Sequence, residues 1–386
     1  MELIKLKGKN KFIFIIFTSL YCLVNYIIGN IFFKGFNSIF KIKPLIFWPL
    51  FWLLALCYTA SFILNKYVKP SLTDFLYLIG AYWLGLLMYS ALAFPILTIV
   101  NLLVTKAPFF SNKFYLYEIL LIPLIFIFIA IIGSYNAKNS YVKSMNIKIN
   151  KEGLREPLNI VMVSDIHLGN IIRNKRLKTM VEEINSLNPD IVIIAGDIID
   201  SDITPFLNHN MASEFSNLKA KYGTFATLGN HDILTKSEDE IVRILKENSI
   251  TVLRDEATLI NNSFYIIGRD DITISRFTNK PRASLENLTK NLDKSKPLIV
   301  VDHNPKYLNE SLDANIDLQL SGHTHKGQIA PGNIVTNKLF EVHYGYLKKD
   351  NLNVVVSSGY GTWGPPVRLG SKSEIVQINL QMEQPQ

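Results

Sequence analysis

L-N-I-V-M-V-S-D-I-H-L-G, from Leu158 to Gly169, reads as an apolar β-strand that ends on residues able to hold a metal ion. The run Asn159–Ser164 is short, uncharged and rich in apolar side chains, as expected of a strand covered on both faces. Asp165 and His167 then stand two apart, so an extended backbone turns both to one side. Beyond them, Leu177, Met180, Val181, Ile184 and Leu187 recur at helical spacing, and Asp190–Ala195 returns to a short apolar run. Strand, helix and strand in that order predict a βαβ unit and hence an α/β domain with a largely buried sheet.

The same pattern recurs outward from this unit. Thr224–Leu228, Leu298–Asp302, Leu318–Ser321 and Val354–Ser357 are further candidate strands. Ser237, with Glu240 three residues on, predicts a capping box at the start of another helix. Five polar stretches follow strands: S-D-I-H-L-G (Asp165, His167), A-G-D-I-I-D (Asp197, Asp200), L-G-N-H-D (Asn230, His231, Asp232), V-D-H-N-P (His303) and S-G-H-T-H-K-G-Q (His323, His325). In α/β sheets ligands gather at the carboxyl ends of strands, so residues distant in sequence are expected to meet there. The donors are oxygen and imidazole without sulfur, which suits Mn, Fe, Zn or Ni. One carboxylate can bridge two such ions, and a pair held about 3.5–4 Å apart suits in-line displacement at phosphorus by an activated water. A nearby imidazole can protonate the leaving oxygen.

At these residues the chain resembles the calcineurin-like metallophosphoesterases, whose motifs D-x-H, G-D-x-x-D, G-N-H-D/E, a lone His and G-H-x-H all occur here in order. The resemblance covers Leu158–Leu380 and implies a four-layer sandwich, two facing mixed β-sheets flanked by helices. It implies one divalent ion on Asp165, His167, Asp197 and His325, and a second on Asp197, Asn230, His303 and His323, with manganese the expected metal. It also implies that His231 is the catalytic histidine outside the metal shells and that Asp232 orients it. Asp200 fits an outer support or a helix cap better than a ligand. Arg269, Lys326 and Arg368 are candidates for binding substrate phosphate, each equally readable as a structural or solvated side chain. Tyr360, Trp363 and Pro365–Pro366 are candidates for lining the site. His209 and His343 match no motif and are read as surface or structural residues. H-T-H-K-G-Q, I-G-R-D-D (Ile267–Asp271) and G-Y-G-T-W-G-P-P-V-R-L-G (Gly359–Gly370) resemble a bacterial membrane-associated branch that includes enzymes cleaving UDP-2,3-diacylglucosamine.

The first third of the 386 residues has a different composition. Phe12–Phe33, Leu45–Leu64, Phe75–Val104 and Leu116–Ser134 are each apolar over the length that crosses a bilayer, and Pro95 predicts a kink or a shallow end in the third. The expected domains are a transmembrane anchor over 1–135, a linker over 136–157, the catalytic domain over 158–380 and a disordered tail over 381–386. Lysine and arginine near the spans divide eleven to five in favour of an inside N-terminus, which places the catalytic domain in the cytoplasm of a bacterial inner membrane. That placement accounts for the net charge of +8 without a nucleic-acid partner. Few ionisable residues lie within the spans, which argues against a transport pathway. Both cysteines, Cys22 and Cys57, lie in apolar spans, so the catalytic domain has neither a disulfide nor a thiolate metal site. The expected partners are the bilayer and a phosphorylated lipid or nucleotide-lipid substrate. A soluble nucleotide or phosphoprotein substrate, or a metal-binding scaffold without turnover, are the alternatives. The sequence sets no oligomeric state.

Overall fold

The computed structural model describes residues 8–64, 67–104, 114–151, 154, 156–278 and 281–382. The chain divides into two compact units, Met1–Ile131 and Ile132–Gln386.

The first unit is built from apolar helices: α1 (Gly8–Phe40), α2 (Pro44–Leu64), α3 (Pro70–Val104) and the greater part of α4 (Phe114–Lys138). All four are long and apolar enough to cross a membrane. Helix α3 runs through Pro95 as one helix, so the proline neither ends nor divides it. Aromatic rings fill the space between helices, with Trp83 edge-on to Phe51 at 5.1 Å and Phe32 edge-on to Phe94 at 5.6 Å. Gly80 lets α3 approach the backbone of α2 at Tyr58, where a Cβ would collide with Tyr58 main-chain atoms.

The second unit contains two six-stranded sheets. The first is ordered β1 (Tyr141–Ile149), β12 (Glu374–Met382), β2 (Leu158–Val163), β3 (Ile191–Ala195), β4 (Thr224–Thr227) and β5 (Ile250–Val252). The second is ordered β10 (Gly345–Lys349), β11 (Leu352–Val356), β9 (Leu318–Ser321), β8 (Leu298–Val301), β7 (Phe264–Gly268) and β6 (Glu256–Ile260). Strands β2 to β5 are mutually parallel, as are β11, β9, β8 and β7. Residue alternation divides their side chains between two layers of core. Ile160, Met162, Ile191 and Ile193 pack with Ile266, Ile299, Leu318 and Val355 between the sheets. Val161, Val163, Val192 and Ile194 face outward under α5 (Asn174–Ser186), against its Leu177, Met180, Val181 and Ile184. A third cluster, with Val300, Val354 and Leu308, covers the outer face of the second sheet. Helix, sheet, sheet and helix make the expected four-layer sandwich. Ile160 is 0% exposed, and cutting such a side chain to alanine costs about 2–5 kcal/mol.

Three local expectations change. The segment 136–157 is more than a linker: α4 continues to Lys138, and β1 pairs in parallel with β12 along its whole length, Tyr141 opposite Glu374 through Ile149 opposite Met382. Gln381 and Met382 accordingly belong to a strand, and the remainder of the expected tail, 383–386, lies outside the described residues. Helix α8 (Glu238–Glu247; α6, Ile203–Asn208, and α7, Asn230–Leu234, precede it) starts after Ser237 as expected, but the Ser237 side chain makes no capping bond. Its hydroxyl and amide turn back to Thr235 instead.

Candidate functional site

The five polar stretches all leave the carboxyl ends of strands: β2 and β3 lead to Asp165, His167 and Asp197, β4 to Asn230 and His231, and β8 and β9 to His303, His323 and His325. The two sheets thus contribute to one place, and three donor groups form there among the described residues. Asp165, His167 and His325 make the first cluster and Asp197, His303 and His323 the second, while Asp200 and His231 form a third group with His167. In the first, His325 Nε2 lies 3.2 Å from Asp165 Oδ1 and 3.0 Å from His167 Nε2. In the second, His303 Nε2 lies 3.2 Å from Asp197 Oδ2, and His323 Nδ1 lies 2.8 Å from Asn230 Oδ1.

Asp197 joins them. Its Oδ1 accepts the amide hydrogen of His231 at 2.8 Å, which fixes the carboxylate. Its Oδ2 faces both clusters, 3.2 Å from His303 Nε2 and 3.9 Å from His167 Nε2. The backbone is strained at these donors: Asp165, His167, Asp197, His323 and His325 all adopt positive φ between 49° and 71° without being glycine. Such conformations persist only where surrounding structure imposes them. Gly229 and Gly322 have no room for a side chain, because a Cβ at either would strike the carboxylate of Asp197 or Asp165.

The residues present fit divalent ions. His167 Nδ1 and His303 Nε2 are buried without a hydrogen-bond partner, although buried imidazole nitrogens are ordinarily paired. Burial alone would raise the carboxyls of Asp165 and Asp197, but His325 beside the first and His303 beside the second outweigh it and hold both below the usual carboxylate range. Both therefore present anionic oxygens. His303 Nδ1 lies 2.8 Å from the Ala195 carbonyl; donating to it leaves Nε2 as the lone-pair donor.

The structure corrects the expected orienter of His231. Asp232 is fully buried, and its carboxylate accepts from the amides of Gly229, Ile198 and Ile199 at 2.8, 3.2 and 2.8 Å. It ties the turn after β4 to the turn after β3 and does not hydrogen-bond the imidazole. Burial, followed by the nearby Asp197 charge, pushes Asp232 up to about 6. The His231 ring is met instead by Ser201 Oγ at 2.7 Å and Asp200 Oδ1 at 3.4 Å, both at Nδ1. Asp200 also lies 3.7 Å from His167 Nδ1, while the helix cap that was one reading of Asp200 comes from Asp202, which accepts from Thr204 N at 2.9 Å. Burial disfavours the charged imidazole of His231, yet Asp200 and Asp197 raise it to about 9.

Two expected phosphate binders are structural. Arg269 is 2% exposed and is held by Asp302 at 3.1 Å and Glu310 at 2.7 Å. Arg368 is 0% exposed; its guanidinium donates to the carbonyls of Gly359 and Gly361 at 3.1 and 2.6 Å and lies 3.3 Å from His325 Nδ1, so it braces the loop behind a donor histidine. Lys326 places its ammonium over the Tyr344 ring at 4.4 Å. Tyr360 is buried beneath Arg176 rather than lining the site, whereas Trp363 lies 6.5 Å from the His231 ring. His343 bonds Thr336 at 2.9 Å and is structural. Three further residues bear on the site although none is among its sequence candidates, Asp271 coming from the I-G-R-D-D stretch. Ser201 meets His231, Phe340 packs 5.9 Å from the His323 ring, and buried Asp271, with Oδ2 unpartnered, acts electrostatically on His303 and His323.

Comparison with known proteins agrees with this geometry. Residues 158–327 match the calcineurin-like phosphoesterase family. An uncharacterised metallophosphoesterase of Campylobacter jejuni is 34% identical over 246 residues, 63% of this chain and 64% of that protein. A transmembrane protein with metallophosphoesterase domain from Danio rerio is 30% identical over 266 residues, 65% of this chain and 60% of that protein. The match thus spans less than two thirds of either relative. An uncharacterised metallophosphoesterase of Aquifex aeolicus is 30% identical over 259 residues, and there the match takes in 98% of the relative and 66% of this chain. By its motifs, its two-sheet sandwich and these relatives, the chain belongs to the calcineurin-like metallophosphoesterases.

Proposed function

We propose that the protein hydrolyses a phosphoester or pyrophosphate bond with two divalent ions, manganese foremost, at the surface of a bacterial inner membrane. The observation that carries this is the Asp197 carboxylate, fixed at Oδ1 and turned at Oδ2 toward both donor clusters. Asp165, His167, His325 and Asp197 would hold one ion, and Asp197, Asn230, His303 and His323 the other. When bound, the ions supply positive charge for the phosphoryl oxygens and acidify a water. Asp200 and Ser201 hold the His231 ring at Nδ1, which leaves Nε2 to protonate the departing oxygen. Asp200 beside the ring favours the proton that this task needs.

The substrate class we favour is a lipid-linked or lipid-like phosphate, such as UDP-2,3-diacylglucosamine, because four helices able to cross a membrane hold the domain near such compounds. The excess of lysine and arginine on one side of the spans supports a cytoplasmic catalytic domain. The test uses the full chain in detergent with Mn²⁺ and bis-p-nitrophenyl phosphate, followed by a panel of phospholipids and UDP-linked acyl sugars with products identified by mass spectrometry. Turnover should exceed that of Asp197→Ala on the chromogenic ester. Equal rates would refute the hydrolase reading, and a preference for soluble nucleotides or phosphopeptides would refute the lipid reading.

A further inference from the structure

The loop that braces His325 also grips the end of the fourth apolar helix. Residues 132–138 lie within the candidate span Leu121–Lys138 and are themselves part of the catalytic unit. The carbonyl of Gly133 accepts from Arg368 N at 2.9 Å, Ser134 Oγ donates to Pro366 O at 3.3 Å, and Asn136 Nδ2 donates to Arg368 O at 3.2 Å. Ser373 donates its amide to Asn136 O at 3.2 Å and its hydroxyl to Ala137 O at 2.8 Å. Strand register agrees. Tyr141 pairs with Glu374, and Val376 pairs with Met162, so β1 begins beside the carboxyl end of β2, which is the end that carries Asp165. The apolar span therefore ends at the mouth of the metal site and not at the far edge of the sandwich.

That same end exposes apolar side chains. The helix Gly332–Leu339 has no buried residue, and its Ile334, Val335 and Leu339 are 56%, 56% and 68% exposed. It follows directly on the His325–Gln328 turn and leads into Phe340, which packs on His323. Gln328 ties it to the neighbouring loop: its Nε2 donates to the carbonyls of Trp363 and Pro365 at 2.9 and 3.1 Å, and its Oε1 accepts from Trp363 N at 3.1 Å. Trp363 is 50% exposed, and Tyr135, on the span's last turns, is 66% exposed. Large aliphatic residues on a helix with no buried face mark a contact surface, and tryptophan and tyrosine favour the boundary between headgroups and acyl chains.

We propose that the helix Gly332–Leu339 and Trp363 sit in the bilayer interface, so that the metal site opens onto the lipid headgroups. The site then takes phosphate from an amphiphile that stays in the membrane. The occupant is lipid because the surface continues a span that already ends there. The substrate part rests on the hydrolase reading, but the membrane seating does not.

The test uses the full chain in nanodiscs of equal parts phosphatidylcholine and phosphatidylglycerol, with Cys22 and Cys57 replaced by alanine and a nitroxide attached through Leu339→Cys. A second label, through Lys348→Cys, serves as control, since that exposed side chain is on β10 near its Lys349–Leu352 end, remote from the site. Label 339 should be accessible to oxygen and shielded from an aqueous nickel chelate, and label 348 should show the reverse. Aqueous accessibility at 339 overturns the proposal, and so does shielding from both reagents, which would mean a protein partner. In parallel, Ile334→Gln, Val335→Gln and Leu339→Gln are combined. Turnover of a phosphate-bearing lipid in the same discs should fall about tenfold or more, with bis-p-nitrophenyl phosphate turnover unchanged. An equal effect on both substrates, or none on the lipid, also overturns it. If the parent chain hydrolyses neither compound, the hydrolase reading fails while the labels still decide the seating.

Discussion

Around Asn25 in the helical unit a buried polar group has complementary neighbours, whereas around Asp197 in the catalytic unit buried polar atoms are held against others of the same kind. Asn25, 0% exposed, accepts from Trp83 Nε1 at 3.0 Å and donates to the Tyr21 carbonyl at 2.9 Å. Around Asp197, by contrast, His167 Nε2 and His325 Nε2 stand 3.0 Å apart, and His303 Nε2 has no hydrogen-bond partner. The first pattern is what an apolar solvent enforces, because an unpaired polar group there costs several kcal/mol. The second is unfavourable by itself and becomes favourable when cations sit between the donors. The polar group at Asn25 is thus placed for architecture and those around Asp197 for chemistry.

The sharpest way to break this contrast is Asp197→Ala. Loss of the shared carboxylate should lower turnover by more than the roughly 10–100-fold that follows loss of an outer support. It should also lower the bound Mn²⁺ per chain, measured by elemental analysis. Unchanged metal content would mean that the clusters are ordinary buried polar networks.

Arg269 tests the opposite side of the contrast, a buried charge within the catalytic unit that is purely architectural. Arg269→Met leaves Asp302 with Arg282 at 3.0 Å and the Asn304 amide at 3.3 Å. Removing one member of such a buried pair costs about 3–5 kcal/mol, and the remaining arginine places this case near the low end. Thermal unfolding in detergent should show the loss while KM for bis-p-nitrophenyl phosphate stays fixed. A raised KM would restore the phosphate-binding role that the sequence suggested for Arg269.

Asp200 and Asp232 separate the two kinds of placement three residues from Asp197 and one residue from His231. Asp200→Asn should lower kcat about 10–100-fold with little change in melting temperature, because it touches His231 and His167 and caps no helix. Asp232→Asn should do the reverse in order of severity, since an amide oxygen cannot replace a carboxylate that accepts from three backbone amides. Equal kinetic effects from the two would erase the distinction drawn between them.

What could be read from sequence follows the same division. The donor residues stood out because Asp, His and Asn at the ends of apolar runs have few other uses, and β2, β3, β4, β8, β9 and β11 were legible because both their faces are buried. Strand β1 was hidden: its Tyr141–Ser144 half is largely exposed and its lysines, Lys143 and Lys148, read as topology signals. The roles of Arg269 and Arg368 were not legible either. Burying a guanidinium depends on acceptors from elsewhere in the chain, such as Asp302 and Glu310 for one and the Gly359 and Gly361 carbonyls for the other. The orienting role of Asp232 came from the family resemblance, but helical geometry after β4 turns neighbouring side chains in different directions, and Asp200 reaches the ring from another loop.

The smallest expected effect lies in the helical unit. Trp83→Phe keeps the edge-on packing against Phe51 at 5.1 Å and removes only the indole N–H that reaches Asn25 from α3 to α1. Asn25 retains its bond to the Tyr21 carbonyl within α1, so one acceptor, Oδ1, loses its donor. In water-filled surroundings that oxygen would be re-solvated, and in a lipid-facing bundle it would not. Even so, interhelical hydrogen bonds in membranes average about 0.6 kcal/mol and reach at most about 1.7, because the separated helices also find partners. Titration of the full chain with a denaturing detergent should therefore shift by a fraction of what Arg269→Met produces. A loss as large as the Arg269 variant's would mean that polar groups in the helices carry more than architecture, and the transport pathway that the sequence argues against would then gain support.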